Sequence, residues 1–188
     1  IVTIIARQQG VESLRSWDTI SSFEGDISVS TLSAGTLTSW TRIEPQFSPV
    51  HLLGDLLVPQ GVTLQLLPQS SLRIGSMMTL GVQGDFISED ATITGYDWLE
   101  VRIEGNAEIS GGQITGGPIV VANNGELSLD NTLLNGAPIE SITSSSVMIT
   151  DSRLLGSSTC LSGSSSSQLM VTNTIFESCI QQGIQAFG

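Results

Sequence analysis

The sequence predicts an all-β chain, a parallel β-solenoid with a short β-rich segment ahead of it, on three observations. The first is a repeat. An aliphatic residue, a small polar one, then Gly, Asn or Asp, two variable positions and a large apolar residue recur as Ile93 to Trp98, Ile109 to Ile114, Leu129 to Leu134, Ile149 to Leu154 and Val171 to Phe176. Successive copies are 16, 20, 20 and 22 residues apart, a period that belongs to turns stacked one on another. The second is composition: 39% hydrophobic residues suffice for a core, while aromatic residues are 5% and charged residues 13%, so Ser, Thr, Gly, Asn and Gln must cover much of the surface. The third is the want of any sustained 3.6-residue periodicity, which sets aside a helical repeat.

The elements follow in order. Residues 1–46 lie outside the repeat and are expected to form a capping or assembly segment, with residues 47–188 as the β-helix. Ile1, Val2, Thr3, Ile4 and Ile5 form an apolar, β-prone stretch that suits strand donation to a neighbouring sheet, and Gln8-Gln9-Gly10 ends it. Val11 to Trp17 suits a short helix or an irregular stretch. Asp26 to Leu32 and Gly35 to Arg42 suit strands, the first alternating through Ile27, Val29 and Thr31. Pro45 and Pro49 mark a joint, because neither can donate to a β ladder.

From Val50 the chain predicts short strands at Leu52 to Val58, Val62 to Leu67 and Leu72 to Ile74, separated by Gly54-Asp55, Pro59-Gln60-Gly61 and Pro68-Gln69. The run Gly54-Asp55-Leu56-Leu57-Val58-Pro59-Gln60-Gly61-Val62-Thr63-Leu64-Gln65-Leu66-Leu67-Pro68 resembles the opening turn of right-handed parallel β-helix surface proteins of the pectin-lyase-like kind. Trp40 and Ser48-Pro49 resemble the lead-in to such helices, so the resemblance spans residues 36–188. The chain departs from the pattern at Gln69, where these proteins usually carry Gly. The resemblance implies a right-handed coil and brings both structural proteins and polysaccharide lyases or hydrolases into view.

Laid over one another, the copies predict two inward columns, Ile93/Ile109/Leu129/Ile149/Val171 and Trp98/Ile114/Leu134/Leu154/Phe176. Between them Gly95, Gly111, Asn131, Asp151 and Asn173 align at a bend, residue types that enter left-handed backbone at low cost. A second corner is expected at Gly116, Gly136, Gly156 and Ser178, followed by Pro118-Ile119, Pro138-Ile139 and Gly183-Ile184. The chain stops at Gly188 within a repeat, so more chain or a partner is expected there, and Ile1 in place of Met suggests a processed product or part of something longer.

Chemistry is sparse. The net charge is −12, and all six basic residues are Arg, which disfavours nucleic acid, anionic membrane and polyanionic substrates. No apolar run is long enough to span a bilayer. The one His, His51, has no nucleophile beside it in sequence, and no zinc spacing or phosphate loop occurs. The lyases that the chain resembles use Arg or Lys beside an Asp-bound calcium, and the hydrolases use Asp pairs with a His. Here Arg102 and Arg153 stand alone, and neither the Asn-Thr-Asp nor the Gly-His-Gly hydrolase pattern is present.

Asp85, Glu89, Asp90 and Asp97, in the densest acidic stretch, offer oxygens for a calcium ion, or else belong to a solvated face. The alternation of Leu99 to Glu104 supports the face. Cys160 and Cys179 lie 19 residues apart, near one period, and form either a disulfide between neighbouring turns or two buried thiols. The expected function is that of a non-enzymatic extracellular structural protein. It would be a rigid β-helix building a surface layer, filament, sheath or adhesin, with copies of itself or further chain as partners and no cofactor unless calcium. A glycan-binding or polysaccharide-cleaving β-helix is the alternative.

Overall fold

Alternation of apolar and polar residues over three to five positions, broken by residues that tolerate positive φ, dictates short strands with one buried face. A computed structural model describes residues 25–27, 31–32, 34–164 and 166–186 of the chain. Among these residues the strands assemble into three parallel sheets of eight strands each, here A, B and C, stacked as a β-solenoid. One coil contributes one strand to each sheet: Glu126–Asp130 to A, Leu133–Asn135 to B and Ile139–Ser141 to C. The only helix among the described residues is the single 3₁₀ turn Pro45–Phe47. The segments 1–5 and 11–17 lie outside the described residues.

Sheet membership reaches back before residue 47. Gly25–Ile27 and Thr41–Ile43 are the first strands of sheet A, Thr31–Leu32 opens sheet B and Gly35–Thr36 opens sheet C. Parallel stacking is therefore under way ahead of the Pro45 to Pro49 joint.

Each sheet sends columns of side chains inward. In sheet A, register pairs Leu64, Phe86, Ala107, Leu127, Val147 and Leu169 in one column. Leu66, Ser88, Ile109, Leu129, Ile149 and Val171 make the second. Sheet B stacks Val50, Leu72, Ile93, Ile114, Leu134, Leu154 and Phe176. Two expectations are corrected here. Ile93 stacks on Ile114 in sheet B, and the residue in register with Ile109 is Ser88. The true fourth-coil copy is Ser88 to Ile93, so the steps from Ser88 are 21, 20, 20 and 22 residues and the anomalous 16 disappears.

Trp98 accordingly leaves the column of sixth positions and fills the corner between sheets B and C. It is buried, its indole Nε1–H donates to the Pro118 carbonyl at 3.2 Å, and the backbone of Gly116 and Gly117 lies against the ring. A Cβ on Gly116 would stand 2.4 Å from the indole, so this corner admits Trp98 because the next coil has glycine there.

The bend between sheets A and B runs through Asp90, Gly111, Asn131, Asp151 and Asn173, with φ of 44°, 67°, 48°, 49° and 47°. Asp90 takes the place expected for Gly95. Amides at this bend bond to the coil above: Asp90 donates to Ser110 O, Gly111 to Asp130 O and Asn131 to Thr150 O. Gln69 extends the series, with φ 66° and its amide on Asp90 O, so a non-glycine residue holds the left-handed conformation at this bend. Just past the bend, Thr132 and Ser152 are buried, and their hydroxyls donate to the Asp130 and Thr150 carbonyls, which thereby accept a second hydrogen bond beside the one from the preceding coil's amide and leave neither buried hydroxyl unsatisfied. Asn131→Val should cost about 1–2 kcal/mol, since a β-branched residue is strained in that conformation, whereas Asn131→Gly should be close to neutral; urea unfolding midpoints compare the two.

The expected second corner is present. Gly136, Gly156 and Ser178 have φ of 66°, 78° and 55°. Pro118 and Pro138 each stand just ahead of a sheet C strand and offer only a carbonyl to the coil before, accepting from Val101 and Ile119.

Candidate functional site

Sheet A carries the acidic outer surface. Register places Asp85, Asn106 and Glu126 in one outward column, Ile87, Glu108 and Ser128 in the next, and Glu89, Ser110 and Asp130 in the third. Neighbouring strands are about 4.8 Å apart, and no carboxylate of this array stands directly above another. The alternation with neutral residues limits repulsion that like charges on adjacent rungs would bring. The four calcium candidates are not gathered. Asp85 and Glu89 lie at opposite ends of one strand, Asp90 is at the A–B bend and Asp97 at the B–C bend, with the strand Thr92–Gly95 between those two. Among the described residues no group of three or more His, Cys, Asp or Glu is placed to hold a metal ion.

At the C–A corner, charge is organised across coils. Glu104 accepts from Arg102 Nε at 2.9 Å, from Asn123 Nδ2 of the next coil at 2.7 Å and from Gln83 Nε2 of the previous one at 3.3 Å. The Arg102 hydrogen bond, ahead of the opposing effect of burial, holds the Glu104 carboxyl below its ordinary range, and the same bond raises the Arg102 guanidinium. Glu104's contribution to stability is thus present above the unfolded carboxylate range and lost as pH falls through the lowered folded value. Glu104→Gln should remove no more than about 1 kcal/mol at neutral pH, as expected of a solvent-screened pair, and should make no difference in strong acid; denaturant titrations at the two pH values check the sign.

The last coil forms a distinct surface. Gln168–Thr172, Ile175–Glu177 and Gln182–Ala186 are the terminal strands of sheets A, B and C, so each has one unpaired backbone edge among the described residues. Leu169, Val171, Phe176 and Ile184 continue the inward columns, yet none is fully buried, and Ile184 is 47% exposed where Leu161 below it is 0%. This coil is covalently tied to the preceding one. Cys160 and Cys179 are joined in a disulfide with a Cα separation of 5.7 Å, the first of the two alternatives for this pair.

A cleft opens on the outer side of sheet B near its corner with sheet C. It measures about 410 Å³ and is lined by His51, Leu52, Leu53, Arg73, Ile74, Gly75, Ser76, Thr94, Gly95 and Tyr96. His51, Arg73 and Thr94 stand in one outward column on three successive strands, while Leu53 and Tyr96 project from the adjoining turns, Tyr96 79% exposed. Of these residues the sequence draws attention to His51 for its chemistry and to Gly95 as a bend residue, and to neither as part of a cleft. Arg73 and Tyr96 are 23 residues apart and meet only through the coil period.

No protein-family model matches the chain, and neither a curated protein nor a solved structure matches it.

Proposed function

We propose that the chain is a rigid, non-enzymatic structural protein that works outside the cell, a β-solenoid building block that assembles with copies of itself through its ends or faces. The observation that carries this reading is the regular stack of three parallel sheets, in which each described coil presents to its neighbour the same strand edges and inward apolar columns. A surface of that kind is complementary to another coil of the same pattern, and exposed edges recruit strands. The apolar Ile1 to Ile5 stretch supplies a sequence suited to meet it. The disulfide supports an oxidising compartment, and the Lys-free, Ser- and Thr-rich composition agrees with a cell surface.

Light scattering and negative-stain microscopy over a concentration series test the proposal. The chain should grow into rods, and Ile184→Lys, at a residue 47% exposed, should hinder lengthwise growth while leaving the far-ultraviolet spectrum unchanged. A chain that stays monomeric at all concentrations and salts overturns it.

Glycan binding by a pectin-lyase-like β-helix is the second reading, favoured by the cleft under Tyr96. A screen of neutral and acidic polysaccharides for binding, new reducing ends and unsaturated products separates binding from cleavage.

A further inference from the structure

We infer that the cleft on sheet B is a binding site for a small carboxylate carried on a six-membered ring, the carboxylate seated on Arg73 and the ring face lying against Tyr96. The inference does not depend on lengthwise assembly, because the cleft is built by coils remote in sequence from the C-terminal one.

Arg73 differs from the other described arginines. Arg42 bonds Glu44 at 2.6 Å, Arg102 bonds Glu104 at 2.9 Å and lies 3.7 Å from Glu100, and Arg153 bonds Glu177. Arg73 makes no hydrogen bond or ion pair among the described residues, although eighteen Asp and Glu residues are available in the chain. The reason is positional. Its outward column continues from His51 below to Thr94 and Thr115 above, so no carboxylate stands on an adjacent rung. Among the described residues His51, Ser76, Thr94 and Tyr96 likewise have no side-chain hydrogen bond, which leaves the polar side chains of this cleft unengaged.

The geometry selects the ligand. A guanidinium presents a planar fork of donors that matches a carboxylate bidentately. An exposed Tyr ring beside the aliphatic Leu53 offers a flat apolar platform, which suits the face of an aromatic or sugar ring. A volume of about 410 Å³ falls in the size range of small-ligand sites, which are mainly apolar with a few fixed polar groups. Charge sets the upper size. The chain carries a net −12, so a polyanion would be repelled by the rest of the surface while a single carboxylate meets one unpaired Arg and a His. An aromatic acid and an acidic monosaccharide share the required chemistry.

Titration of the purified chain with 4-hydroxybenzoate and with glucuronate, followed by calorimetry and by Tyr and Arg side-chain NMR shifts, tests this. At least one of the two should bind, with glucose and phenol binding far more weakly. Arg73→Gln should weaken binding roughly tenfold or more, as loss of a charge-assisted bidentate pair implies, Arg73→Lys should recover only part of it, and Tyr96→Ala should weaken binding separately. Tighter binding of glucuronate assigns the site to an acidic sugar, and tighter binding of 4-hydroxybenzoate to an aromatic acid; either supports the proposal. Absence of binding by both at millimolar concentration overturns it, as does binding unchanged in Arg73→Gln or inorganic sulfate binding as tightly as the ring acids. Arg73 is exposed on the outer face, so these variants should keep the wild-type spectrum and melting point.

Discussion

Phe86→Ala should lower the unfolding free energy by about 3–5 kcal/mol, the range for deleting a fully buried aromatic side chain. Phe86 is 1% exposed and occupies its inward column between Leu64 in one coil and Ala107 in the next. Parallel stacking fixes the spacing of coils through backbone hydrogen bonds, so the walls cannot close on the space left by the ring, and a cavity remains. The position of Ala107 makes the effect diagnostic. The small side chain above leaves room that Phe86 fills, and the double variant Phe86→Ala with Ala107→Phe exchanges the two volumes while conserving their sum. The pair should recover roughly half of the loss, as volume-conserving core changes do. Equilibrium urea unfolding of the two single variants and the double one decides. A single-variant loss under about 1 kcal/mol would contradict the packing described, and strict additivity of the two would contradict the contact between these positions.

The same pair explains how far the fold was legible in the sequence. Sheet A sends two residues inward from each strand, and their combined size is what the core constrains. In the coils from Ala107 onward the second residue is a large aliphatic, namely Ile109, Leu129, Ile149 and Val171, so the repeat is plain. In the coil before them the bulk shifts to the first position: Phe86 is large and Ser88 is small. Ser88 breaks the aliphatic pattern, and Ile93-Thr94-Gly95-Tyr96-Asp97-Trp98 imitates it in the wrong sheet. A pattern defined on single positions cannot see a volume exchanged between two. Bends and corners were legible because positive φ restricts residue type locally, at Asn131, Asp151 and Gly136 for instance. The cleft was not legible. Arg73 and Tyr96 carry no motif, and their shared cleft depends on coil length, which no single residue specifies.

Removing the disulfide, by Cys160→Ser with Cys179→Ser or by reduction, should destabilise the C-terminal coil by about 3 kcal/mol, the loop-closure estimate for a link of this span. The two cysteines are 19 residues apart and join successive coils. The effect should be local, because a solenoid coil contacts only its neighbours and its stability is set by its own interfaces. Interior coils are held on both sides; among the described residues the coil of 168–186 is paired on one side, by Ser146–Thr150, Arg153–Leu155 and Thr159–Gly163. Its inward Leu169, Val171, Phe176 and Ile184 remain partly open to water, so it gains less from burial than the coil beneath it, whose Val147, Ile149, Leu154 and Leu161 are fully buried. Amide exchange should therefore quicken across 168–186 on reduction, while Asn106–Ser110 and Glu126–Asp130 keep their protection. Equal quickening along the whole solenoid would mean that the coils unfold as one unit and that the bond is a global staple. No change anywhere would mean that stacking alone holds the last coil. The functional consequence follows from the same geometry: if the unpaired edges of this coil template the next copy, reduction should shorten or abolish rods under conditions where the rest of the fold stays intact. Rods of unchanged length beside a frayed last coil would place assembly on another surface.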